Sequence, residues 1–221
     1  MNREEIQSMR RSYSEGELTL SSLTDPITSF KSWLKEAADV PSIVEANGMV
    51  LSTSDVEGLI TSRSVLLKDV SENGFTFFTN YNSRKSHAIE INPQVSLLFP
   101  WYPIERQVIV QGIAEKVSRE ESEEYFQSRP WSSKIGAWAS HQSAPLSNRE
   151  VLELRYKAAA EKWPEGSKVP TPDHWGGYLV RPFSIEFWQG RYSRLHERIR
   201  FERSHNSGEI KGDWVAQRYY P

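Results

Sequence analysis

The chain has 221 residues, with 27 basic and 29 acidic side chains and a formal net charge of −2. That length can bury a core without staples, and the balanced charge demands neither nucleic acid nor an anionic membrane as partner. With no cysteine, disulfides and thiolate metal sites are excluded, and a reducing cytoplasmic home is compatible.

The start, "MNREEIQSMRRSYSEGE", is too polar for a secretory signal, and no apolar run approaches the roughly 18 residues of a membrane span. Within it "NREEIQSMRRSY" predicts a short helix, with Asn2 and Glu5 at capping-box spacing. "DPITSFKSWLKEAADV" predicts a firmer one. Asp25 is its N-cap, Pro26 its first residue, and Ile27, Phe30, Trp33, Leu34 and Ala37 share its apolar face. Three strands should follow, "MVLSTSD", "LITSRSVLLKDV" and "GFTFFTN". Their joints are Val56-Glu57-Gly58 and Ser71-Glu72-Asn73-Gly74, where Asn-Gly is a hairpin cue because both residues tolerate positive φ.

A short helix over 83–91 separates these from a strand pair, "QVSLLFPWY" and "RQVIVQGIAEKVS", turning at Pro103. Two helices come next. "SREESEEYFQSRP" has Ser118 and Glu121 as a capping box, and "SNREVLELRYKAAAEKW" has Ser147 and Glu150 in those roles. Pro164, Pro170 and Pro172 mark a loop, and "GGYLVRPFSIEFWQG", "ERIRFERS" and "WVAQRYY" return to strands. Antiparallel strands interrupted by helices imply an α+β protein around a closed or nearly closed barrel. No dinucleotide fingerprint, P-loop, zinc-protease motif or nucleophile elbow occurs, and the five histidines are scattered.

Three polar clusters stand out. Arg63 and Lys68 flank the apolar part of one strand, and Arg84 and Lys85 open the 83–91 helix, with Thr79 and Ser83 adding hydroxyls. Cations are disfavoured at a helix N-terminus unless an anion joins them. Guanidinium forks, an ammonium and free N–H groups suit a phosphate monoester. Solvated surface charge is the competing reading. Tyr125, Arg129 and Ser133 fall at i, i+4 and i+8 and also suit a phosphate, although Pro130 should interrupt the helix; an exposed helix end is the alternative. Trp188, Arg194, His196 and Arg198 could pack on and polarise a planar ring, against a merely structural histidine.

Taken together, "SRSVLLKDV", "FFTNYNSRKSHAIEINPQVSLLFPW", "ERQVIVQG", "YFQSRPWSSKIGAWASHQS" and "WGGYLVRPFSIEFWQGRYSRLHER" closely resemble the pyridoxine/pyridoxamine 5′-phosphate oxidase family, in order from about residue 10 to the C-terminus. The resemblance implies an α+β fold, an antiparallel split β-barrel that binds FMN, with surrounding helices. It implies a homodimer with FMN in clefts between subunits, residues 1–24 as a mobile N-terminal lid, and 25–221 as one domain with a C-terminal dimerisation and active-site region. By the same resemblance Arg63, Ser64, Val65, Leu66, Leu67 and Lys68 cradle FMN, and Phe78 and Thr79 continue its site. Arg84 and Lys85 clamp its phosphate, and Gln107, Gln142, Ser143, Trp188 and Arg198 complete the set, some reaching from the partner.

Lys68, Tyr125, Arg129 and Ser133 resemble the substrate-phosphate site. Arg194 and His196 resemble the catalytic pair at the pyridine ring and C4′, and Arg10 and Tyr13 in "RRSY" resemble a lid. The implied reaction oxidises pyridoxine or pyridoxamine 5′-phosphate to pyridoxal 5′-phosphate. Hydride passes from C4′ to flavin N5, and O2 is reduced to H2O2. Phe78 stands where the family has Tyr, Ser12 where an acid is common, and aromatics separate Arg218 from Pro221. A flavin reductase-like enzyme or a non-catalytic FMN or pyridoxal phosphate carrier on the same barrel are the alternatives; "RLHER" argues against the first, and "SRP" with "RLH" against the second. No metal is implied.

Overall fold

The computed structural model describes residues 2–9, 12–13, 18–206 and 209–221. Arg10, expected in the lid, lies outside them. Helix α1 (Arg3–Ser8) carries the expected capping box. Asn2 Oδ1 accepts the Glu5 N–H at 2.9 Å, and Glu5 accepts the Asn2 N–H at 2.7 Å. In α2 (Pro26–Ala38), Asp25 Oδ1 accepts the Thr28 N–H at 2.7 Å, a cap worth about 1 kcal/mol. Ile27, Phe30, Trp33 and Ala37 are buried along its apolar face, as the 3.6-residue period requires.

The described residues form nine strands in chain order. They are β1 (Gly48–Ser54), β2 (Ile60–Leu66), β3 (Asp69–Ser71), β4 (Gly74–Asn80), β5 (Gln94–Trp101), β6 (Arg106–Lys116), β7 (Trp175–Gln189), β8 (Glu197–Asn206) and β9 (Glu209–Tyr219). Interspersed are α3 (Arg84–Ile91), α4 (Arg119–Ser128), α5 (Trp131–Ala139) and α6 (Arg149–Lys162). The hydrogen-bonded order is β2-β1-β5-β6-β7-β4-β3, with β8 pairing β7 and β9. The pairs β3–β4, β4–β7, β7–β8 and β8–β9 are all antiparallel. Burial alternates along β1 and β5, the period-2 pattern of a strand with one face inward.

Three sequence expectations need correction. The single strand expected over 59–70 is two, because the chain changes partner. β2 lies beside β1, Leu67 turns into the core, Lys68 donates its N–H to Thr76 O at 2.8 Å, and β3 joins β4. The hairpin exists, but its two loop residues are Glu72 and Asn73, since Ser71 pairs with Gly74 and neither loop residue has positive φ. Gly74 is needed for another reason. Its φ is +144°, and a Cβ would lie 2.0 Å from Val180 O. The N-cap of α6 is Asn148, whose Oδ1 accepts the Val151 N–H at 3.1 Å, one residue later than Ser147. Ser118 does cap α4, accepting the Glu121 N–H at 3.0 Å.

The chain packs as two units. The first comprises Met1–Met49, Leu97–Gln111 and Phe183–Pro221. Its core is aromatic: Phe30 meets Phe99 at 4.8 Å, Trp33 meets Phe187 at 5.1 Å, and Phe187 meets Phe201 at 6.0 Å between centroids. Edge-on geometry of this kind adds about 0.5–1.5 kcal/mol per pair beyond burial. The second comprises Val50–Ser96 and Gly112–Pro182. There Phe126, Ile135, Val169 and Trp175 form a buried cluster against α4, α5 and the loop before β7.

Candidate active site

The second unit holds a cavity of about 890 Å³ whose wall includes Arg63, Ser64, Val65, Leu66, Lys68, Phe78, Thr79 and Lys85 from the β2–α3 stretch. Tyr125, Arg129 and Ser133 line it too, as does Gln142. The helix does break at Arg129-Pro130, as Pro130 required, and α5 restarts at Trp131. The i, i+4, i+8 residues nonetheless converge, because two successive helices present them to one space. Leu67 is not in the wall; it is core, 4% exposed.

Cations in this cavity have neutral partners. Lys85 Nζ donates to Gln142 Oε1 at 2.7 Å, Thr79 Oγ1 at 3.1 Å and Ser83 Oγ at 3.3 Å. Burial, then the charge of Arg63, lowers its pKa to about 8. Arg63 donates to Leu51 O at 3.0 Å and Thr53 Oγ1 at 2.9 Å, and to Thr61 Oγ1; burial and then Arg84 push its pKa down. Arg84 turns away from Lys85. Its side chain is 65% exposed, 4.0 Å from Asp55, and it lines a neighbouring cavity of about 540 Å³ that shares Asn80 and Gln142 with the first. Its backbone N–H donates to Ser143 Oγ at 3.2 Å, and Ser143 sits at φ 71°.

Part of the wall is aromatic. Phe78 stacks on Tyr125 at 4.1 Å and on Trp175 at 5.5 Å, the three rings within about 22° of parallel. Gly177, opposite Phe78 in the β4–β7 register, leaves room for that ring; a Cβ there would lie 2.8 Å from Phe78 Cε1. The Arg129 guanidinium rests over Trp175 at 4.9 Å, and its Nη1 is buried with no hydrogen-bond partner. Burial lowers the Arg129 pKa, against a raising effect of Tyr125. An unsatisfied buried donor costs on the order of 1–3 kcal/mol. An anion in the cavity would remove that cost.

The first unit holds the rest of the predicted residues. Trp188 and Arg198 are register partners across β7 and β8, and Gln107 lies on β6. The His196 ring sits 4.6 Å from Trp188, with Tyr13 edge-on to both at 5.4 and 5.9 Å. His196 Nδ1 accepts the Arg191 N–H at 3.1 Å, which puts the proton of the neutral ring on Nε2. Burial, then Arg194, lowers its pKa and favours that neutral form. Ser193 and Arg194 are consecutive non-glycine residues at φ 56° and 59°. Left-handed backbone costs roughly 1–2 kcal/mol per residue, and here it holds the exposed Arg194 in a turn beside His196. Arg198 is held by Glu186, Nε to Oε1 and Nη2 to Oε2, both at 3.0 Å.

Comparison with known proteins follows that geometry. Residues 35–163 match the family model described as pyridoxamine 5′-phosphate oxidase, more than half of the chain. The chain belongs to the pyridoxamine 5′-phosphate oxidase family. Residues 175–221 match the pyridoxine 5′-phosphate oxidase C-terminal dimerisation region. A pyridoxine/pyridoxamine 5′-phosphate oxidase of Rhodopirellula baltica is 48% identical, covering 98% of this chain and 96% of its own. One from Nocardioides is 47% identical, with 98% of each covered. Among solved structures, PhzG from Burkholderia lata, in complex with tetrahydrophenazine-1-carboxylic acid, aligns with a TM-score of 0.84 at 28% identity. It covers 94% of this chain and 99% of PhzG. A pyridoxamine 5′-phosphate oxidase-related, FMN-binding protein of Nostoc punctiforme aligns at TM-score 0.69 and 14% identity, covering 90% and 99%, and speaks for the fold. The α+β split-barrel fold expected from the sequence is the family's fold, and the family is one of oxidoreductases.

Sequence reasoning passed over two residues of this family member's site region. Trp175 supports Arg129 and stacks with Phe78, and Glu186 pairs with Arg198. Glu186 had a signal, an acid inside the apolar run "FSIEFW". Trp175 had none, because only the folded chain brings it under Arg129.

Proposed function

We propose that this chain is an FMN-dependent oxidase, working as a homodimer, that converts pyridoxine or pyridoxamine 5′-phosphate to pyridoxal 5′-phosphate and reduces O2 to H2O2. The observation that carries this reading is the cavity whose half-buried cations lack anionic partners among the described residues: Lys85 on neutral oxygens and Arg129 with an orphaned, buried Nη1. Two such positions, on α3 and at the end of α4, suit two phosphorylated ligands.

Lys85, Arg63, Thr79 and Gln142 suit the cofactor phosphate, with Arg84 reaching from the adjacent cavity and Ser64, Val65 and Leu66 along the ring. Leu67, Ser143, Gln107, Trp188 and Arg198 belong to the same expected set, and the family's dimeric sites give partner residues a part. Arg129, Lys68, Tyr125 and Ser133 suit the substrate phosphate. Bound FMN supplies the hydride acceptor and the route of electrons to O2.

The protein's own work is placement. Holding a substrate by its phosphate and its ring can lower a barrier by roughly 7–11 kcal/mol at best. Arg194, with no carboxylate partner among the described residues, is free for the substrate, and its strained backbone keeps it beside His196. His196, neutral with Nε2 protonated, offers the substrate a hydrogen-bond donor and in this tautomer takes no proton at Nδ1. Tyr13 packs on Trp188 and His196, which suits a lid within the 1–24 segment.

The test is the visible spectrum of the purified protein. Oxidised flavin should bleach on anaerobic addition of pyridoxine 5′-phosphate and return with air, with one H2O2 per turnover. A flavin that bleaches only with a nicotinamide would favour a reductase, and one that never bleaches would favour a carrier. A protein that takes up no flavin ends the proposal.

A further inference from the structure

Glu186 is a heavily paired carboxylate of the first unit. It lies on β7 with 5% of its surface exposed. Four hydrogen bonds converge on it. Arg198 donates Nε to Oε1 and Nη2 to Oε2, both at 3.0 Å, and Arg200 donates Nε at 2.9 Å and Nη2 at 2.8 Å, both to Oε2. The third nitrogen of Arg198, Nη1, donates to the Tyr220 carbonyl at 3.1 Å. Arg200 is held again from outside, its guanidinium 4.3 Å from the Tyr219 ring, and Tyr219 donates to Glu202 at 3.1 Å. All three nitrogens of Arg198 are thus engaged, and the side chain has one orientation beside Trp188, its register partner.

A buried carboxylate loses hydration and is retained at a cost. Arg200 alone could be balanced by Glu202, 3.5 Å away, or packed on Tyr219 without a buried acid. The bidentate bond to Arg198 holds guanidinium and carboxylate as a fork in one plane, and the burial of Glu186 keeps water from competing for it. We propose that Glu186 is a positioning residue that, with the Tyr220 carbonyl, presets Arg198 for the flavin. This rests on reading Arg198 as a cofactor contact. Two physical roles predict opposite signs. If Glu186 only neutralises charge, its loss leaves extra positive charge and tightens binding of anionic FMN. If it positions Arg198, its loss frees a long side chain that must be ordered again on binding, and affinity falls.

The experiment is a titration of apoprotein with FMN, followed by quenching of flavin fluorescence, for wild type, Glu186→Gln, Arg198→Ala and the double variant. Glu186→Gln should raise Kd about 3- to 10-fold, the cost of re-ordering one such side chain, and Arg198→Ala at least as much. The double variant should be no worse than Arg198→Ala alone. Unchanged or tightened binding in Glu186→Gln overturns the proposal, as does a full further loss in the double variant, which would mark a structural role. Arg198→Ala at wild-type affinity removes the reading of Arg198 and the proposal with it. If Glu186→Gln does not fold, Glu186→Asp takes its place in the same cycle: it keeps the charge, shortens the fork, and should weaken FMN likewise.

Discussion

The arginines and lysines of the second unit's cavity and those of the C-terminal strands are the same chemistry in opposite settings. In the cavity, Lys85 and Arg63 meet hydroxyls, an amide and a carbonyl, Arg129 meets rings, and none of the three has a carboxylate within ion-pair distance among the described residues. In the C-terminal strands and the turn before β8, Arg198 and Arg200 share Glu186, and Arg191 and Arg218 share Glu197 at 2.9 and 3.5 Å. The carboxylate answers in kind. Burial alone would raise the Glu186 pKa, but the hydrogen bonds and charges of Arg198 and Arg200 outweigh it and hold it below the ordinary value. A cation paired with a protein acid is fixed in orientation and largely neutralised, whereas one paired only with neutral groups keeps an uncompensated charge. Arg194 likewise has no carboxylate partner among the described residues while sitting in the C-terminal region, which is why we propose it for the substrate.

That contrast can be broken at several points. The largest effect should come from Arg194→Gln, which should cut turnover by roughly 10²- to 10⁴-fold while FMN retention after gel filtration stays near wild type. Equal losses in both would place Arg194 in the structural class. Next, Arg129→Met should raise KM for pyridoxine 5′-phosphate by about 10- to 100-fold, the worth of a charge-assisted hydrogen bond. It should leave the FMN Kd unmoved and the apoprotein at least as stable by thermal melt, since it deletes an unsatisfied buried donor.

Lys85 gives the sharper, smaller test. Its folded pKa, about 8, lies below its ordinary value, so the unfolded chain holds more protons between about pH 8 and 10.5. Apoprotein stability should therefore gain from this group as pH rises through that window. With Lys85 as the proposed phosphate partner, FMN affinity should be full below pH 8 and fall above it. Lys85→Gln should flatten both profiles; a wild-type profile without a break near pH 8 would show that Lys85 is not the phosphate's partner. The smallest expected effect is Phe78→Tyr, since the ring works by stacking on Tyr125 and Trp175. KM and kcat should stay within about twofold of wild type, and a larger change would mean that a hydroxyl at this position meets a ligand.

Local chemistry was legible in the sequence because local rules govern it. Asn2, Asp25 and Ser118 cap their helices through bonds reaching three residues, and the alternation along β1 and β5 and the apolar face of α2 are periodicities a short window contains. The cationic content of "SRSVLLK" and "NSRKS" likewise stands in the string. Only tertiary structure decided where the 59–70 run changes partner, which Gly74 must stay a glycine because of Val180, and that Arg84 and Lys85 face different cavities. It also decided which cations have acids beside them, because Glu186 meets Arg198 and Arg200 across a strand register, whereas Arg129 meets Trp175, far along the chain, and no acid among the described residues. Whether a charge is spent or available depends on what long-range packing puts within about 4 Å of it, and no short stretch of sequence contains that distance.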